Sequence, residues 1–191
     1  MFSEDAGFSV LPPDCAWVYR PAMMARSHVI VGLATWIAAA PLLRIYPLDV
    51  VYLGLAVAGS LLPDIDHPKS WVGRRTRPVS TALALILGHR GVTHSAIAVV
   101  ALAALLLQAG YRWGGVSALI VGYLSHLAAD MLTPQGLRLA WPLRGTWALP
   151  ICRTGSPMES IIVLALVCGA GWWVFRHGIA VAPALPRKPP G

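Results

Sequence analysis

The chain has 191 residues, of which 57% are hydrophobic and 12% charged, and its mean hydropathy is +0.64. A soluble domain of this size carries about 25% charged residues, so the composition excludes an ordinary soluble enzyme and points to one all-α, polytopic membrane domain. The net charge of +7 then reads as loop arginines facing anionic lipid, and no direct nucleic-acid binding is expected.

Residues 1–22 contain Glu4, Asp5, Asp14 and two adjacent prolines before any long apolar run, which does not fit a cleavable signal peptide. They read as a flexible tail, and Met23-Met24 would serve equally as a start, making that tail an extension. The membrane domain is expected over 23–178. Within it, five apolar runs cover residues 29–43, 50–62, 95–109, 116–131 and 161–175. Each is shorter than the roughly 20 residues that cross the hydrocarbon core. Two readings compete: the helices continue through polar ends, or some pairs are half-inserted hairpins. The first is preferred, because the ends carry His and Asp rather than Lys and Glu. Residues 79–87, preceded by Arg74, Arg75 and Arg77, are expected to form an interfacial helix. Residues 134–157 are rich in Pro, Trp and Arg, with Trp141 and Trp147 placed as headgroup anchors over the mouth of the bundle. The Pro-rich residues 179–191 are expected to be disordered. Cys15, Cys152 and Cys168 are odd in number and lack CxxC spacing, which argues against a disulfide framework or a thiolate zinc site.

Five spans with the N-terminus inside leave ten Lys/Arg on inside segments and five on outside segments, so the positive-inside rule selects this orientation. It sends His28, Asp64, Asp66, His67, His89, His94, His126, Asp130 and Glu159 to the cytoplasmic end. Ionisable residues at the edge of an apolar bundle default to a functional hypothesis.

Three motifs carry these residues. In LLPDIDHPKS (61–70), Pro63 is expected to end a helix, and Asp64 and Asp66 would face one way from an extended segment. Two adjacent carboxylates repel unless a cation or proton is shared. The alternative is a solvated turn. In GHRGVTHS (88–95), His89 and His94 flank a helix start that Thr93 is suited to cap, and the fork of Arg90 suits a phosphate or carboxylate. In GYLSHLAADMLTPQG (122–136), His126 and Asp130 share a helix face. They form a natural pair of metal ligands; the alternative is an intrahelical hydrogen bond. His28 and Glu159 are single residues that fit a ligand, a supporting partner or a general base, and Glu159 also suits a helix N-terminus.

At these three motifs the sequence resembles the YdjM family of inner-membrane-associated metal-dependent hydrolases, over roughly His28 to the fifth span. The resemblance implies a helical membrane protein, a metal site, phospholipase-like hydrolysis and a LexA association. Asp64, Asp66, His89, His94, His126 and Asp130 carry over by motif, and His28 and Glu159 match more loosely. The HxxxD of His126–Asp130 is also similar to the zinc phospholipase C group. This chain lacks that group's second helical His–acid pair, so one or two metals are expected rather than three.

The resulting expectation is a metal-dependent hydrolase of a phosphoester or acyl ester at the cytoplasmic membrane surface, with membrane lipid as a candidate substrate. Its ligands are drawn from His28, Asp64, Asp66, His89, His94, His126 and Asp130. The cofactor is a divalent metal, zinc by its donors. Asp66 or Glu159 would act as the base and Arg90 would steady the oxyanion. The rival readings are a non-catalytic membrane protein with a structural metal or polar clamp, and a transporter.

Overall fold

The computed structural model describes residues 25–87, 92–143, 145–153 and 155–177. Residues 1–22 and 179–191, read above as tails, lie outside them. Six α-helices form among the described residues, with no strand: α1 Ala25–Ala39, α2 Val50–Leu61, α3 Arg77–Leu87, α4 Ala96–Gln108, α5 Trp113–Met131 and α6 Pro157–His177. Every apolar run thus becomes a helix. Among the described residues only α6 is both long and apolar enough to cross a membrane, and α4 is apolar but short.

Local chemistry sets the ends. The Asp49 carboxylate accepts from the amides of Val51 and Tyr52 at 2.9 and 3.2 Å and starts α2, a standard use of an N-cap side chain. Pro41 has no N–H to continue α1, and the chain turns there, with Arg44 at φ 58°. Pro157 opens α6, where its missing donor costs nothing. The second run ends as expected at Pro63, but residues 62–66 are not extended. They form a five-residue 3-10 turn, Leu62–Asp66, because the fixed φ of Pro63 continues a helical trace in tighter form. Asp64 and Asp66 consequently face different neighbours. Thr93 does not cap α4 either. Ser95 does, accepting from Ala98 N at 3.3 Å, and this leaves the Thr93 hydroxyl for another purpose.

The backbones of α2 and α5 nearly touch. A Cβ built on Gly59 would lie 2.0 Å from Leu119 O, and one on Gly122 would lie 2.0 Å from Ala56 O. Each glycine therefore admits the other helix, the small-residue packing that lets helices approach closely. Trp36, Ala40, Ala56 and Ala118 form a buried cluster. Val99, Tyr123, Leu127 and Leu137 form a second. Helix α1 packs on α2, α5 and α6, and α4 packs on α5.

The loop after α5 folds back onto the helix ends. Leu137 and Trp147 exchange backbone bonds at 2.8 and 2.7 Å, and Leu139 O accepts from Ala96 N at the start of α4. Leu149 N reaches Met131 O, while Ile151 N and Cys152 N reach Leu132 O, satisfying carbonyls that a helix C-terminus leaves open. Cys152 is buried there; burial, with the Glu159 carboxylate adding to it, pushes its thiol pKa up.

Candidate metal centre

The start of α1, the 3-10 turn that follows α2, the 3-10 turn Val92–His94 that precedes α4 and the end of α5 meet in one cluster. Each contributes ionisable side chains that are almost wholly buried: His28, Asp64, His94, His126 and Asp130. Asp130 is the hub. Its Oδ1 lies 3.5 Å from His28 Nε2, and its Oδ2 lies 3.6 Å from His126 Nε2 and 3.7 Å from His94 Nε2. Asp64 Oδ1 approaches His126 Nε2 at 4.0 Å. The rings of His28 and His126 stack with centroids 3.9 Å apart, and His94 meets His126 edge-on at 5.4 Å.

The supporting bonds fix which ring nitrogens face inward. His126 Nδ1 lies 2.7 Å from Ser60 O. A carbonyl only accepts, so Nδ1 carries the hydrogen and a neutral ring presents the lone pair of Nε2. Thr93 gives the same result for His94. Its hydroxyl donates to Asp66 Oδ2 at 2.5 Å, so it can only accept from His94 Nδ1, 3.0 Å away. The chain His94–Thr93–Asp66 therefore turns His94 Nε2 toward Asp130. Tyr123 OH in turn bonds Thr93 O. Imidazole nitrogens thus converge on carboxylate oxygens, an arrangement that a shared proton or a cation between them satisfies.

The donor set fits a metal ion. His28, His126 and Asp130 form one group, and Asp64, His94 and His126 another, each with ligand atoms within 4.8 Å of one another. Ligands about 2.0–2.1 Å from a tetrahedral ion sit roughly 3.3 Å apart, close to the separations around Asp130.

Of the residues singled out from sequence, Asp66 lies beside this cluster through Thr93, outside both groups. Glu159 instead receives Ser27 Oγ at 2.5 Å and Gly155 N at 2.6 Å, tying α6 to α1 next to His28. His89 and Arg90 lie outside the described residues. His67 belongs to neither group, and its Nδ1 accepts from Lys69 N at 3.1 Å. Ser27, Ser60 and Tyr123 were not singled out. Ser60 acts through its carbonyl, which no side-chain motif marks.

Replacing Thr93 by Val keeps the shape and removes both hydroxyl bonds. The expected result is metal affinity lower by about 10–100-fold, the usual cost of losing an outer-shell partner. Competition with a chelator of known affinity measures it, with T93S recovering most of the loss.

Fold and site together define an all-helical protein with a buried His/Asp cluster able to hold a metal ion. The sequence matches the family described as YdjM inner membrane protein over residues 23–185, and the chain belongs to that family. It is 44% identical over 124 residues to the inner membrane protein YdjM of Escherichia coli K12, and equally to that of Shigella flexneri. The match takes in 61% of this chain and 63% of each relative, so the chain spans less than two thirds of their length. The YvsG protein of Bacillus subtilis is 30% identical over 162 residues, 82% of this chain and 98% of the relative. No solved structure matches.

Proposed function

We propose that this protein is a multi-pass bacterial inner-membrane protein whose cluster binds a divalent metal, zinc by its donors, and hydrolyses a phosphoester or ester at the cytoplasmic surface. The observation that carries the reading is the convergence of His28, His94 and His126 on Asp130. Membrane placement is supported by family membership and by the exposed apolar side chains of α4 and α6, such as Val100, Leu105, Leu164 and Phe175; apolar patches of this kind mark a membrane contact. The five longer helices would serve as spans and α3 would lie at the interface, with the cytoplasmic orientation resting on the arginine count.

A bound zinc ion would polarise the scissile group and lower the pKa of water toward neutral. Asp66, held through Thr93, is assigned proton acceptance, and Arg90 the steadying of developing negative charge. Glu159 is assigned a positioning role through Ser27. The near-complete burial of the three histidines favours a second reading, a closed structural metal site.

Elemental analysis of the purified protein, beside turnover of phospholipids and of a simple phosphodiester, separates the readings. The proposal expects one or two metals per chain and metal-dependent hydrolysis that D66N abolishes. Stoichiometric metal without hydrolysis of any of these would leave the structural reading, and metal-free protein would overturn both.

A further inference from the structure

Two cavities line the seam between helices α1 and α6. The upper one, about 370 Å³, is polar at its head, with Arg26, Ser27, Ser156, Glu159 and Ser160, and becomes apolar below at Ile30 and Val167. The second, about 380 Å³, shares Ile30 and Val167 and continues between Leu33, Ile37, Ala170 and Gly171. Each falls within the size range of ligand pockets, about 300–1,000 Å³. The shared residues make one groove, charged at one end and greasy along the rest. Its floor is built from small residues, Ala34 and Ala170, both buried. A Cβ at Gly171 would meet nothing within 4 Å.

We infer that this groove binds one amine-bearing glycerophospholipid, with an acyl chain along α1 and α6 and the headgroup across Arg26 and Glu159. Those two are the charged groups lining the groove, and they have opposite signs. A guanidinium pairs with phosphate. The Glu159 carboxylate already accepts from Ser27 and Gly155, yet two oxygens offer about four acceptor positions and can take an ammonium as well. A headgroup with phosphate alone would leave Glu159 facing an anion. The hydroxyls of Ser156 and Ser160 suit the ester and phosphate oxygens between the charges. The inference rests on the membrane placement proposed above and not on hydrolysis.

The test is native mass spectrometry of the full chain released from nanodiscs holding equal phosphatidylethanolamine and phosphatidylglycerol with the same acyl chains. The wild type is expected to retain one lipid, the ethanolamine form by roughly tenfold, the worth of one charge-assisted hydrogen bond. G171L fills the groove where there is room for it and is expected to cut retained lipid of both kinds at least about fivefold, a steric exclusion, with an unchanged melting temperature. E159Q is expected to keep total lipid and lose the headgroup preference, and R26Q to lower retention of both. Retention in proportion to the disc composition, or unchanged occupancy in G171L, would overturn the inference. Metal content in the same samples separates it from the metal reading: H126A should lose metal and keep lipid. A wild-type chain recovered outside the membrane fraction of its host would overturn the membrane placement instead.

Discussion

Asp130→Asn is expected to release the metal and cost more affinity than any other isosteric change in the protein. Among the described residues Asp130 alone faces three imidazole nitrogens, at 3.5, 3.6 and 3.7 Å, and it is almost wholly buried. Asparagine keeps the volume but removes the charge that compensates the ion. It also turns an amide N–H₂ toward the ion or toward inward-facing lone pairs. A supporting partner is worth about 10–100-fold in metal affinity, so loss of Asp130 as the proposed central ligand should exceed about 100-fold. Elemental analysis after dialysis against a chelator reads the loss directly. The same variant distinguishes a metal site from a plain histidine–carboxylate network. If an ion is bound, the melting temperature of the wild type falls on chelation and that of D130N does not respond, because a ligand stabilises only a state that binds it. If the cluster is only a polar network, chelation moves neither.

The second large effect is at the crossing of α2 and α5. In Gly59→Ala or Gly122→Ala the new methyl would sit 2.0 Å from a backbone carbonyl oxygen. Backbone cannot rotate aside as a side chain does, so the helices must separate. Overpacking of a core costs about 1–3 kcal/mol and occasionally more, and here the upper end is expected. Separation also moves Ser60 O away from His126 Nδ1, a bond of 2.7 Å, so metal affinity should fall although neither glycine touches the cluster. Gly54→Ala and Gly169→Ala are the controls. Nothing lies within 4 Å of their added methyls, and removing a helical glycine there should be neutral or stabilising by about 0.5–1 kcal/mol. Thermal unfolding in detergent, with metal content measured in parallel, checks both halves.

The helices were legible because apolar runs broken by Pro, Gly and charge leave few other choices. The ends were less so. Thr93 and Ser95 are equally suited to cap a helix, and only the position of Asp66 decides which hydroxyl is free to do it. Asp64 and Asp66 read as extended from their spacing, but Pro63 carries helical geometry into them and divides them between His126 and Thr93. The meeting of His28 with Asp130 is visible in the sequence only through topology, since alternating helices return their ends to one side. The role of Ser60 was out of reach, because a carbonyl belongs to every residue. Gly59 and Gly122 each look like an ordinary small residue in an apolar run; their meaning lies in each other.

His28 and Asp130 are partners separated by most of the domain, and the carbonyls that end α5 are closed by Leu149, Ile151 and Cys152. During synthesis the first histidine is made long before its carboxylate, and the helix bearing that carboxylate is finished off only when the following loop has arrived. On the proposed multi-pass, metal-binding reading, the early helices would enter the bilayer before Asp130 exists to meet His28, and an ion would be acquired only after insertion. Metal uptake would then be a late step of biogenesis, and a chain halted before residue 149 is expected to be inserted but metal-free.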